Sequence, residues 1–446
     1  MCYNKDELIN LLRVIFQNTH QDIDWDFNKV NKVLIGGGSR INFKGEKGNF
    51  EGVVPDGEGP TLVILKDGIS AFNKFVIEVM KDNEFKKYIA PTAIEKKLES
   101  VLRKTQGKLP ETDILEFLKL EILKPLREEI RPWIAYVPID NLTVQNELKI
   151  GDVVFLSKEV VKNELDDLFS KHQYAGTTEE QNEQREGTNK VLDYFYENCY
   201  SYAKVAVRAH ETKSSQKAIE IAYVSINALR AFTHILYSHT MKPYFGLPNE
   251  VQRGAWLTVL YGNDENKGFD IDSHQRQSLV TFEINETNIN KLNEYCCFQK
   301  IQQILATPPD KRRDIENIII QTLQALGNSV VSPTIDMKFL NCTIALERLL
   351  IAEGEETTTD RFTDRLTLIL SNDPQNRLRI REKAKDLYNK RSKIVHAAFF
   401  GVEEEDYRLF ENWAIGILVH ILKNYSKYKS HKDFCKIIDE LKYGKV

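Results

Sequence analysis

The 446-residue sequence has no apolar run of the ~18 to 20 residues needed to cross a bilayer. Its best stretch, residues 413–422, is broken by Gly416 and His420, so no membrane partner is expected. The opening MCYNKDELIN lacks the apolar core and small-residue cleavage site of a secretory signal, and a cytoplasmic placement is expected. Cysteine is sparse: Cys2, Cys199, Cys296, Cys297, Cys342 and Cys435 show no CxxC spacing, which favours reduced, packed thiols over a disulfide framework. The adjacent Cys296 and Cys297 read as two thiols in a helix or loop rather than a redox pair. Cationic excess is missing too. Lys and Arg number 61 against 65 Asp and Glu, a formal charge of −4, which excludes a protein that coats nucleic acid by global charge. Any nucleic-acid contact must be a local patch.

Several chemical signatures are also absent. Gly36, Gly37 and Gly38 lack the GxxxxGK[ST] or GxGxxG spacing of a phosphate cradle and read as a turn. No GxSxG or HExxH occurs. His234, His239 and His420 have no Cys or carboxylate partners at ligand spacing. The acidic run Glu353, Glu355, Glu356, Asp360 and Asp364 reads as a loop plus the negative start of a helix. No metal site is expected.

At about 150 residues per domain, the length suggests roughly three compact units, and 42% hydrophobic residues are enough to give each a packed interior. Residues 1–175 mix patterns. A helical stripe at Leu8, Leu11, Leu12, Val14 and Ile15 is followed by strand-like runs at 32–35 and 61–65, helical stretches around 71–79, 93–102 and 114–120, and strand character at 133–137 and 152–156. The polar segment 176–189 reads as an exposed linker and a boundary. Residues 190–330 read as largely helical, with a strand or helix start at 203–207 and a helix near 315–326 closed by Gly327. Residues 331–446 read as a helical bundle. Leu340, Ile344, Leu346, Leu349 and Leu350 mark one helix, and Thr357 with Asp360 cap the next. A third helix follows Pro374, and a fourth runs through Phe410, Trp413, Ala414, Ile417, Leu418 and Ile421. The expected fold class is mainly α, α+β overall.

The residues that carry chemistry are in the stretch from Arg391 to His396. Arginine is a permanent forked donor that matches a phosphate, and histidine can take and give protons near neutrality. Together they suit phosphodiester cleavage. On an ideal helix the five-residue step leaves the two about 140° apart. The bare pattern is weak evidence: with 20 Arg and 9 His, an Arg followed by a His after four, five or six intervening residues is expected about once by chance, and Arg13 with His20 satisfies it with six.

Three stretches give that pair a context: CTIALERLLIAEGEETTTDRFTDRLTLIL, IREKAKDLYNKRSKIVHAAFFG, and a closing amphipathic helix. Together they resemble the Apea-like branch of the HEPN superfamily. There, a helix reading ALE plus leucines precedes one with an embedded arginine and then LY..RS.IVH. Here these are Ala345, Leu346 and Glu347; Arg365; and Leu387, Tyr388, Arg391, Ser392, Ile394, Val395 and His396. The match covers about residues 336–425. Ala397 departs from it, since glycine often follows the histidine, and Ser392 replaces the Asn, Asp or His of other branches. The resemblance implies a metal-independent endoribonuclease with no cofactor, acting as a homodimer on RNA such as tRNA in bacterial antiphage defence by abortive infection. It makes Arg391 and His396 catalytic, with Glu347 orienting one of them. Residues 1–175 would then regulate the enzyme or sense a phage-derived trigger.

Local charge points the same way. Residues 377–446 hold 16 basic against 10 acidic side chains, a net of +6. Lys390, Lys393 and Ser392 are the expected RNA contacts, with Lys383 and Lys385 nearby, and Tyr388 is a base-stacking candidate that also lies on the apolar stripe with Ala384 and Leu387. The alternative is a non-catalytic helical module for dimerisation or sensing, in which Arg391 and His396 are structural.

Overall fold

The computed structural model describes residues 3–21, 31–35, 38–45, 48–55, 62–109, 113–171, 177–197, 199–237, 243–248, 250, 255–261, 269–275, 281–356, 358–397 and 401–443. Cys2, His239, Thr357, Gly36 and Gly37 lie outside them, and the side chain of His234 is likewise not described. The fold is mainly α, α+β overall. The chain divides into two compact units, Met1–Ala135 with Ala206–Ala218, and Tyr136–Val205 with Ile219–Val446.

Unit 1 opens with α1 (Lys5–Gln17), started by the Asn4 side chain, which accepts from the Asp6 and Glu7 backbone N–H groups. Leu8, Leu12, Ile15 and Phe16 fall on one face and are buried. Then come β1 (Thr19–Gln21), β2 (Asn31–Ile35), β3 (Gly38–Gly45), β4 (Gly48–Pro55) and β5 (Leu62–Leu65), in an antiparallel sheet of order β1-β5-β4-β3-β2. Helices α2 (Lys66–Val79), α3 (Asn83–Tyr88), α4 (Pro91–Lys104), α5 (Ile114–Phe117) and α6 (Lys124–Glu128) follow, α5 and α6 being joined by a π-helical stretch, Leu118–Leu123. Phe75, Phe85, Ile94, Leu98 and Ile122 share a core with the buried face of α1. Strand β6 (Arg131–Ile139) carries the chain across the division.

Unit 2 continues with β7 (Leu142–Val144), β8 (Leu148–Ile150), β9 (Val153–Ser157), α7 (Lys158–Ser170), α8 (Thr178–Glu197), β10 (Ser201–Ala209) and α9 (Glu211–Arg230). The end of β10 and the start of α9 belong to unit 1. The sheet order is β6-β10-β9-β8, with Ala203 opposite Phe155 across β10 and β9. The polar segment expected to be a linker is instead most of α8. The Thr177 hydroxyl accepts from the Glu180 N–H while the Glu180 carboxylate accepts from the Thr177 N–H, a reciprocal cap, and the Glu, Gln and Arg residues behind it are good helix formers.

Next come α10 (Thr233–Leu236), β11 (Ala255–Tyr261), β12 (Phe269–Gln275), β13 (Phe282–Ile284), α11 (Glu286–Cys296) and α12 (Phe298–Ala306). Among the described residues after 190, four strands therefore lie among the helices. The last six helices are α13 (Asp314–Val331), α14 (Ile335–Leu350), α15 (Thr359–Leu370), α16 (Pro374–Ala397), α17 (Glu404–Lys423) and α18 (His431–Leu441). Gly327 does not end its helix. It sits inside α13, where a Cβ would come within 2.4 Å of the Asn227 Cβ, so glycine is what lets α9 approach. The start of α15 is capped by Thr358, whose hydroxyl accepts from the Arg361 N–H.

These six helices form the C-terminal bundle, with α14 packed on α13 and α17, and α15 on α16 and α18. Aromatic rings run through its centre: Phe339 to Phe410 at 4.8 Å, Phe410 to Phe362 at 6.4 Å, and Phe362 to Tyr388 at 4.6 Å between centroids. Beside them, Arg365 is only 2% exposed and its guanidinium is saturated by Glu355, Asp439 and the Leu350 carbonyl.

Candidate functional site

The site is built on α14 and α16. A helix this long and this polar is held in place by a narrow stripe, and in α16 the stripe is Ala384, Leu387 and Tyr388, all buried. One turn on, Arg391 is half-buried. The helix continues unbroken to Ala397, so His396 lies in its last turn, exposed, roughly 7.5 Å further along the axis. Arg391 and His396 thus share one rigid helix and point different ways. Among the described residues no hydrogen bond or ion pair joins them, and His396 has no such partner.

Glu347 comes from α14. Its Oε1 lies 3.3 Å from the Arg391 Nη2 and accepts a 2.6 Å hydrogen bond from the Tyr388 hydroxyl. The expectation that Glu347 orients one of the pair therefore falls on Arg391. Burial first, and the Glu347 carboxylate second, push the Tyr388 phenol up, so it remains a protonated donor. With 8% exposure and its ring packed on Phe362, Tyr388 has no free face for a base to stack on.

The lysines divide. Lys390 is bound to Asp406, with Nζ 2.6 Å from Oδ2, and Lys383 takes the other oxygen at 2.8 Å. Burial would raise the Asp406 carboxyl, but the two ammonium groups hold it below its ordinary value. Lys390 is thereby occupied within the bundle, whereas Ser392 and Lys393 are exposed on the same turn. At the far end of α14, the Asp336 carboxylate accepts from the Gly401 and Val402 N–H groups, which ties the start of α14 to the chain just before α17. Sequence patterning missed the role of Asp406, because the acidic run from Glu403 reads simply as the negative start of a helix.

Other reactive side chains are silenced by burial. Cys435 and His431 lie 3.6 Å apart, but burial pushes the thiol up to about 12 and the imidazole down, and His431 Nε2 is 2.9 Å from the Leu349 carbonyl. The Cys296 thiol is also raised to about 12 by burial, which keeps it protonated. Three members of the acidic run around α15 are paired with guanidinium groups: Glu355 with Arg365, and Asp360 and Asp364 with Arg381. No grouping of His, Cys, Asp and Glu able to hold a metal occurs among the described residues.

Unit 1 has a separate cleft of about 330 Å³, lined by Glu128, Glu129, Arg131, Trp133, His210 and Glu211. Its histidine is spoken for on both nitrogens. Nδ1 accepts from the Thr212 N–H, and Nε2 lies 2.7 Å from Glu129. Arg131 covers the Trp133 ring at 4.2 Å.

No helix is long and apolar enough to cross a membrane among the described residues. Set against family models, curated proteins and solved structures, the chain matches none.

Proposed function

We propose that the C-terminal bundle is a HEPN-type, metal-independent endoribonuclease in which Arg391 and His396 act on a ribose-phosphate linkage. The observation that carries this reading is the exposure of His396 in the last turn of the helix whose Arg391 is held by Glu347. Two groups matched to phosphate charge and to proton transfer stand on one rigid element, and the imidazole is open to solvent. The RNA 2′-hydroxyl loses its proton to an imidazole, and its oxygen attacks the adjacent phosphorus. The 5′-oxygen leaves with a proton from an imidazolium, giving a 2′,3′-cyclic phosphate and a 5′-hydroxyl. Arg391 balances the charge gathering on the phosphoryl oxygens. Because the two side chains diverge on α16, a phosphate is engaged by Arg391 of one copy and His396 of another, which gives a homodimer a chemical purpose.

Purified protein incubated with total tRNA in EDTA is the test. Cleavage lost in His396→Ala, with fold and oligomeric state retained, supports the reading, and undiminished cleavage in that variant rejects it. In this reading the remainder of the chain restrains the nuclease until a trigger arrives, as a cell-directed toxin in antiphage defence requires.

A helical dimerisation module without turnover is the second reading. It is favoured by Ile344 and Val395, 43% and 52% exposed on the two helices that carry the site. It expects the same oligomer and no new RNA ends.

A further inference from the structure

We infer that Tyr388 is a positioning residue, which shares the Glu347 carboxylate with Arg391 and so keeps the guanidinium available to a phosphate. The inference rests on the ribonuclease reading for its functional meaning and on the geometry of three side chains for its content.

A carboxylate beside an arginine tends to close into a two-pronged pair that uses up one edge of the fork. Glu347 does not do so. Its Oε1 is taken by the Tyr388 hydroxyl at 2.6 Å, and the Arg391 Nη2 stands off at 3.3 Å from Oε1 and 3.5 Å from Oε2. Among the described residues, Nη1 and Nε of Arg391 make no hydrogen bond. Toward the described residues the guanidinium is thus tethered by one nitrogen, with its other donors uncommitted there. Tyr388 is itself packed in place, being buried with its ring 4.6 Å from Phe362, and the Arg391 guanidinium carbon lies 5.9 Å from its ring centroid. A fixed phenol therefore sets how much of Glu347 is left for Arg391. Glu347 is 18% and Arg391 29% exposed, so water weakens this competition only in part.

Removing the hydroxyl with Tyr388→Phe keeps the ring packing and frees Oε1, and the carboxylate then closes on Arg391. The expected result, in the full-length protein with tRNA as substrate, is a kcat lower by about tenfold, with KM within about twofold and the melting temperature little changed. The diagnostic variant is Tyr388→Phe with Glu347→Gln. A neutral amide cannot clamp the guanidinium, so the double variant regains most of the lost kcat, a coupling that packing loss alone does not produce. Wild-type kcat in Tyr388→Phe, or a double variant no faster than Tyr388→Phe, overturns the inference while leaving the nuclease reading intact.

A second measurement needs no RNA. The Arg391 Nε–Hε exchange rate, followed by NMR with the signal assigned through Arg391→Lys, falls severalfold in Tyr388→Phe and recovers in the double variant if the clamp forms. An unchanged rate rejects the positioning role even if the wild-type protein cleaves no RNA. A slowed rate in a protein without cleavage upholds the positioning role and rejects the nuclease.

Discussion

The Lys390 ammonium lies 2.6 Å from a carboxylate oxygen of Asp406, a side chain only 4% exposed whose other oxygen is held by Lys383. A buried charge left half-paired is costly, so Lys390 supports the bundle before it can support RNA binding. Lys390→Ala is expected to lower stability by about 1–3 kcal/mol, measured by urea unfolding. RNA affinity in the folded variant stays within about twofold at fixed salt. A variant of full stability with sharply weaker RNA binding would return Lys390 to the nucleic-acid interface.

Acid should open the same bundle from another side. Hydrogen bonds from Arg365 hold the Glu355 carboxyl at about 2, against an unfolded value near 4.5. A lowered folded-state value contributes stability that is complete above about pH 4.5 and is lost as the pH falls toward 2. The share is on the order of 2–3 kcal/mol, given 27% exposure of the Glu355 side chain. Glu355→Gln is therefore expected to be less stable at pH 7 and to show a flatter decline between pH 4.5 and 2. Parallel acid limbs for the two proteins would remove Glu355 from the account.

Gly327 pits helix propensity against packing. Alanine in a helix interior is favoured over glycine by about 1 kcal/mol. Here its Cβ would stand 2.4 Å from the Asn227 Cβ and 2.6 Å from the Asn227 Cα, where neither atom can yield without shifting α9. Asn227 and Tyr223 also donate hydrogen bonds to the Asn328 side chain next door. Overpacking of this kind costs about 1–3 kcal/mol and more where backbone must move, so Gly327→Ala is expected to lower the melting temperature despite its better propensity. A raised melting temperature would show that α9 and α13 can part freely.

What patterning could and could not reveal follows from the same contacts. Helices α14 to α17 of the bundle were legible because each lays apolar residues three, four or seven positions apart on a shared core, and that signal is local. Gly327 misled because a glycine that ends a helix and one that admits a neighbour look alike until the neighbour is known. The stretch 176–189 misled because it lacks apolar anchors, yet its Thr177 and Glu180 cap and its helix-forming residues suffice. Tyr388 and Arg391 meet Glu347 across 41 and 44 residues of chain, a pairing set by how α14 lies on α16 rather than by any short spacing.

That spacing also leaves Arg391 and His396 about 140° apart on one helix, which makes the nuclease reading testable by mixing two inactive proteins. Arg391→Ala and His396→Ala, co-expressed with different tags, form half of their dimers as mixed pairs if association is random. In a mixed pair, one composite site joins the intact Arg391 of one subunit to the intact His396 of the other, and the second site has neither. Tandem-purified mixed dimers are then expected to recover roughly half of wild-type cleavage, and the unfractionated mixture roughly a quarter, while each parent alone stays inactive. Silent mixed dimers would mean that the two groups serve the same phosphate from within one chain, or serve none, and the divergence along α16 would lose its proposed purpose.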